Sequence, residues 1–271
     1  MRVHHLNCGT MRPLGGKLLD GQPGYFRRGR MVCHCLLIET GDGLVLVDTG
    51  LGLDDVRTPK GSLTREFLFA ANPLLIEHET ARRQVEKLGF RAEDVRHILP
   101  THLDLDHAGG FRDFPNAKVH VYAEELHNAQ AQATARDRAR FRKVQWQHAD
   151  FESYETAGDD WFGFESVRDL KGLPAEIRIV PLAGHTKGHA GIAVDTGGKW
   201  LLHCGDSYFY HDEMAANPSC TPLLKQFQKI VETERGPRLR NQERLRSLVR
   251  EHGDQVEVFS AHDPIELERY S

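Results

Sequence analysis

The chain has 271 residues, a formal net charge of -4 with 35 Lys+Arg against 39 Asp+Glu, and 16 His. Its near balance of charge leaves no strong field for nucleic acid or an anionic membrane surface, and no apolar run approaches the roughly 18 residues that would span a bilayer. Its length buries a substantial core without help from disulfides, and the five cysteines (Cys8, Cys33, Cys35, Cys204, Cys220) are odd in number and unlike a disulfide framework or a CxxC pair.

Taken in order, the N-terminus Met1-Arg2-Val3-His4-His5 lacks the apolar core of a signal peptide. Residues Met31 to Glu39 read as a strand, Gly41-Asp42-Gly43 as a turn and Leu44 to Val47 as a second strand, closed by Asp48-Thr49-Gly50. Cys33 and Cys35 share one face of the first strand and read as reduced core residues of a cytosolic protein. Residues 53–78 are less regular; Phe67-Leu68-Phe69 and Leu74-Leu75-Ile76 read as core or as an apolar wall over a pocket, with Asn72-Pro73 breaking between them. Glu79 to Leu88 reads as a helix stopped by Gly89. A strand entering at Asp94 and ending at Leu99 precedes Thr101-His102-Leu103-Asp104-Leu105-Asp106-His107-Ala108-Gly109-Gly110. Four metal-capable side chains fall within six residues there, at a strand end where open α/β folds build their sites. Gly109-Gly110 frees the backbone to turn.

Lys118 to Tyr122 is another strand, followed by a helix from Glu124. Residues 129–150, rich in Ala, Gln and Arg, read as a solvated helix or excursion whose charges form an exposed face. Residues 176–180 alternate and lead into Pro181-Leu182-Ala183-Gly184-His185. Ala190 to Asp195 and Lys199 to Leu202 form a hairpin that runs on into His203-Cys204-Gly205-Asp206. Arg238 to His252 is an amphipathic helix stopped by Gly253, and Gln255 to Phe259 is a last strand ending in Ser260-Ala261-His262-Asp263-Pro264. One form recurs: a strand, then a His or Asp at its end, at Asp48, from His102, at His185, at Asp206 and at His262.

Jointly, Asp48-Thr49-Gly50, His102-x-Asp104-x-Asp106-His107, Gly184-His185-Thr186-x-Gly188-His189, Gly205-Asp206 and Ala261-His262 resemble the metallo-β-lactamase superfamily, in family order across residues 45–262. The resemblance implies an α/β, four-layer αββα sandwich: two mixed sheets packed together, helices outside, and a metal site at one edge of the sheets. It implies one metal on His102, Asp104 and His185, a second on Asp106, His107 and His262, and Asp206 bridging them. Asp48 then orients ligands, and His189 is structural.

The donor types agree with two divalent ions. Imidazoles and carboxylates suit zinc or iron, and a thiolate-free set is unlike a closed structural zinc site. Two such ions about 3.5–4 Å apart acidify a bridging water, whose hydroxide attacks a carbonyl or phosphoryl centre. The family usually has His where this chain has Asp104. That harder oxygen donor moves the first site toward iron or manganese, with zinc still the first expectation.

Within the superfamily the chain is most similar to the N-acyl homoserine lactonase group, through the hairpin ending at Asp48, the Asp106 to Gly110 run, His262-Asp263, and aromatics after the bridging carboxylate at Tyr208 and Tyr210. The expected reaction is opening of a cyclic ester by a metal-bridging hydroxide. Asp106 serves as ligand and proton shuttle, Tyr208 contacts the substrate carbonyl or else is a core phenol, and Phe67, Phe69 and the segment near Met11 offer an acyl wall. Alternatives are thioester hydrolysis of the glyoxalase II type, with Arg235, Arg238 and Arg240 as an anion patch, phosphodiester cleavage, and, in a different class, a non-haem iron oxygenase or oxygen reductase on the same scaffold. The expected organisation is a single domain over 1–271, with a helical excursion at 124–165. The expected context is a cytoplasmic enzyme of a small-molecule ester or lactone, with neither nucleic acid nor membrane as partner, forming a homodimer through an apolar 67–76 face.

Overall fold

In the computed structural model, which describes residues 1–156 and 158–270, six strands pair side by side in chain order. They are β1 (Arg2–Met11), β2 (Met31–Thr40), β3 (Gly43–Val47), β4 (Val95–Leu99), β5 (Lys118–Tyr122) and β6 (Asp150–Tyr154). The first three are antiparallel, and β3 through β6 are parallel. A small hairpin, β7 (Asp159–Trp161) with β8 (Phe164–Ser166), leads into a four-stranded sheet of β9 (Ile177–Pro181), β10 (Ala190–Asp195), β11 (Trp200–His203) and β12 (Val256–Phe259). There β9, β10 and β11 are antiparallel, and β11 runs parallel to β12.

Side chains alternate across a strand, and that alternation sets the layers. Leu36, Ile38, Val45, Val47 and Leu99 turn inward and pack against Ile177, Ile179, Ile192, Val194 and Phe259 of the smaller sheet. Each such side chain, fully removed from water, contributes roughly 1.5–3 kcal/mol. Their neighbours Leu37, Leu46, Ile98, Val119 and Val121 turn outward, into a cluster that takes in Ala81 and Val85 of the helix Ala81–Lys87. On the far side, Val180, Ala193, Leu202 and Val258 pack against Leu245 and Leu248 of the helix Arg235–His252. The αββα order follows, with helices on both outer faces.

Three expectations are corrected. Residues 53–78 carry three short helices, Leu53–Arg57, Pro59–Ser62 and Arg65–Ala70, and Met11 is buried core at 3% exposure and so unavailable as an acyl wall. Phe67 packs on Leu51, Leu63 and Leu105, while Phe69 is exposed. The stretch 124–165 is helical only as far as Trp146, in the helices Ala123–Ala131, Ala135–Arg140 and Lys143–Trp146; β6 then closes the large sheet's edge. Both β1 and β6 are edge strands, and the half-polar sequence of an edge gives little alternation to read. Among the described residues, no helix is long and apolar enough to cross a membrane.

Candidate metal centre

Five strand ends meet at one edge of the sandwich. β3 delivers Asp48, β4 the 101–107 loop, β9 His185, β11 Asp206 and β12 His262. The connection after β3 is unusual: Asp48 is a non-glycine residue at a φ of 54°, a conformation that surrounding bonds must hold. Its carboxylate accepts from the Thr101 N–H at 2.7 Å and the Thr101 hydroxyl at 2.9 Å, and lies 2.8 Å from His107 Nδ1.

Those bonds set the imidazoles. With Asp48 on its Nδ1, His107 turns Nε2 inward. His262 donates Nδ1–H to the Val32 carbonyl at 2.7 Å, and His102 Nδ1 lies 3.0 Å from the Thr101 oxygen. In each ring the anchored Nδ1 leaves Nε2 turned toward the centre, which is how metal-binding histidines are held.

Two sets of donors result. In the first, His185 Nε2 lies 3.0 Å from Asp104 Oδ2 and 3.3 Å from Asp206 Oδ2; His102 Nε2 lies 3.4 Å and 3.9 Å from the same two oxygens. In the second, Asp206 Oδ1 lies 3.4 Å from His107 Nε2 and 3.2 Å from His262 Nε2, and these nitrogens are 3.3 Å apart. Asp106 completes that set, Oδ1 at 3.9 Å from His107 and Oδ2 at 3.7 Å from His262. Asp206 thus turns one oxygen to each set. Four donors about 2.0–2.1 Å from a common centre stand about 3.3 Å apart at tetrahedral angles; the contacts of the first set run from 3.0 to 3.9 Å and those of the second from 3.2 to 3.9 Å, close to that spacing. The buried His102 Nε2 and Asp206 Oδ1 have no hydrogen-bond partner, a costly state for polar atoms that are not meant to hold something.

The electrostatics are those of an anionic centre. Burial pushes the Asp206 carboxyl up, but the facing His262, His107 and His185 outweigh it and hold its pKa well below the usual range. Burial likewise opposes protonation of His107 and His262, yet Asp48 and Asp206 raise the one, and Asp206 and Asp106 raise the other. His185 goes the other way, down to about 4, through burial and the nearby Arg140.

Of the residues expected from sequence, His102, Asp104, Asp106, His107, His185, Asp206 and His262 are brought together, with Asp48 behind His107. His189 supports them from outside: its Nε2 accepts the Asp206 N–H at 2.9 Å. Tyr208 is not brought to the cluster. It is wholly buried beneath the helix Arg235–His252, and its hydroxyl donates to Glu266 at 2.8 Å. The aromatic that meets the site is Phe209, stacked on the His262 ring at 5.4 Å between centroids and 17° between planes. Gly109 and Gly110 serve by being small, since a side chain on either would strike Asp55 and Gly50 or Thr49; their backbones are not left-handed.

Three contributors escaped the sequence. Glu125 is fully buried and accepts from the Leu103 N–H at 2.9 Å and the Thr186 hydroxyl at 2.6 Å, tying the 101–107 loop to the 184–189 loop. Cys33, expected as inert core, is buried but holds its sulfur within 4.8 Å of donor atoms of Asp106 and His262. Arg140, expected on a solvated face, has only 9% of its side chain exposed and puts Nε 3.0 Å from Asp104 Oδ1. The capping box Thr134-x-x-Asp137 marks the start of the short helix that carries Arg140, but nothing in it singles out that arginine.

Comparison with known proteins agrees with this geometry. Residues 28–235 match the model of the metallo-beta-lactamase superfamily; His262 lies beyond that span and enters the centre on geometry alone. A probable metallo-hydrolase of Mycobacterium tuberculosis is 40% identical over 266 residues, covering 97% of this chain and 81% of that protein. An N-acyl homoserine lactonase of a Bacillus species is 26% identical over 183 residues, 64% of this chain and 63% of that one. Among solved structures, an N-acyl homoserine lactone hydrolase with N-hexanoyl-L-homoserine at its catalytic metal centre superposes with a TM-score of 0.71 at 18% identity, covering 98% of this chain and 95% of that chain. A dizinc quorum-quenching lactonase superposes at 0.63 with 15% identity, covering 97% and 87%.

Proposed function

The chain belongs to the metallo-beta-lactamase superfamily, and from that membership and the two donor sets we propose that it is a dinuclear metal-dependent hydrolase that opens a lactone. The observation that carries the proposal is the Asp206 carboxylate, with one oxygen facing His102, Asp104 and His185 and the other facing Asp106, His107 and His262. A pair of divalent ions, zinc before iron or manganese, would supply Lewis acidity and a water acidified toward neutral pH.

The chain's own residues do the rest. His102 and Asp206 are buried and fix the floor of the site, while Asp104 and Asp106 are its more open donors, at 13% and 14% exposure. Asp106 therefore stands where a carboxylate can take up a proton and return it to a leaving alkoxide. Beside His262 opens a cavity of about 280 Å³ whose lining is mixed, with Met31, Phe209 and Leu224 as apolar walls and Asp20, Arg30 and Glu268 as charged ones. Its apolar walls suit the apolar part of an ester, and its charged ones could anchor a polar end. The Bacillus relative's activity supports a lactone over other esters. The anion patch of the thioesterase reading is weakened because Arg238 is buried and paired with Glu232 at 2.5 Å.

The test is a substrate panel of lactones, thioesters and phosphodiesters on metal-quantified protein. Lactone turnover that is lost in His107→Ala is the expected result. Phosphodiester or thioester turnover without lactone activity would reject the substrate class, and two irons with oxygen uptake would reject hydrolysis.

A further inference from the structure

The two donor sets match in composition, each with two imidazoles, a carboxylate of its own and a share of Asp206. They differ in what stands behind the private carboxylate. Among the described residues, Asp106 forms ion pairs only with its co-ligands His107 and His262. Asp104 faces the Arg140 guanidinium at 3.0 Å. This is a charge contact more than a hydrogen bond, because Nε–H is not aimed at Oδ1 and that oxygen accepts none. The guanidinium also touches a second private ligand of the set, with Nη2 at 3.4 Å from His185 Nε2.

Arg140 is fixed in place. It donates to the His185 carbonyl at 2.8 Å, the Val231 carbonyl at 2.6 Å and the Thr233 hydroxyl at 3.0 Å. An arginine stays charged at every working pH. Arg140 is therefore a permanent cation in direct contact with the first set, and among the described residues its contacts are to Asp104, His185, Val231 and Thr233 and to no private ligand of the second.

Resting on the two-ion reading above, we infer that Arg140 makes the two halves unequal: the Asp104–Arg140 pair is the charge equivalent of one neutral ligand, so the first set holds its ion more weakly and fills second. A guanidinium near the ion opposes it by Coulomb repulsion, little screened in a buried site. It also engages one oxygen of Asp104 and leaves Oδ2 to face the imidazoles.

The test is titration of metal-free protein with zinc against a chromophoric chelator, read as two stepwise affinities. Wild type should take up two ions with affinities about 10–100-fold apart, the scale on which groups behind metal ligands act. Arg140→Met should narrow the gap by tightening the weaker step, while Arg140→Lys keeps the charge and keeps the gap. Asp104→His should weaken the weaker step further, since the cation is then uncompensated, and Asp104→His with Arg140→Met should return it toward wild type. That rescue is a result that loss of framework bonds alone would not give. Two equal steps in the wild type, an Arg140→Met protein that loses the weaker step, or a double variant no better than Asp104→His would overturn the inference and leave the two-ion reading standing. Uptake of one ion only by the wild type would overturn both.

Discussion

The two halves of the centre are held by different kinds of structure. Behind the second set stand strand ends and backbone: His107 leans on Asp48 at the end of β3, and His262 on the Val32 carbonyl of β2. Behind the first set stands Arg140, brought from a six-residue helix outside both sheets. The second half is therefore supported from within the sandwich, whereas the first, beyond its strand-end residue His102, is also backed by the docked helix that carries Arg140. A site of like donors can thus have one half set by the fold and the other set by a peripheral segment.

Three substitutions sharpen this contrast. Asp206→Ala removes the one residue common to both halves. It should abolish both zinc-binding steps and lower turnover about 10³-fold or more, the scale of several kcal/mol of lost ion-dependent stabilisation. An Asp206→Ala protein that kept two ions would show the halves to be independent. Asp48→Ala strikes the second half's support and should weaken that half's ion about 10–100-fold. Its effect on the first half should be smaller, because Asp48 reaches His102 only through Thr101; equal losses in both steps would contradict the separation of supports. The smallest effect belongs to Tyr208→Phe. It removes a buried hydroxyl from Glu266 and should cost about 1–3 kcal/mol in denaturant unfolding, with metal affinity and kcat unchanged. A loss of kcat at unaltered stability would return Tyr208 to the reaction.

The same contrast explains what the sequence made legible. The second half was readable because its ligands sit at the ends of apolar strands, where a His or Asp interrupts an otherwise buried pattern. His102, Asp104, His185 and Asp206 were readable for that reason too, but Arg140 was not. In Ala135-Arg136-Asp137-Arg138-Ala139-Arg140 three arginines look alike, and only tertiary docking singles out the one that turns inward. Tyr208 failed through a shift of one residue: in the tight turn after Asp206, the side chain facing His262 is Phe209, and a turn has no periodicity from which to tell faces. The glycines of Gly109-Gly110 were noticed for conformational freedom, but the structure uses their lack of volume, which depends on Asp55 and Thr49 from distant segments. Strands β1 and β6 were missed at the sheet's edges, where half the residues face water and the apolar signal fades.

Whether the Asp206 carboxylate joins two ion-binding halves is decided by anomalous diffraction at the zinc edge from crystals grown with zinc. Two peaks should flank Asp206, one bounded by His102, Asp104 and His185 and the other by Asp106, His107 and His262. A single peak, or peaks that do not both adjoin Asp206, would contradict that arrangement.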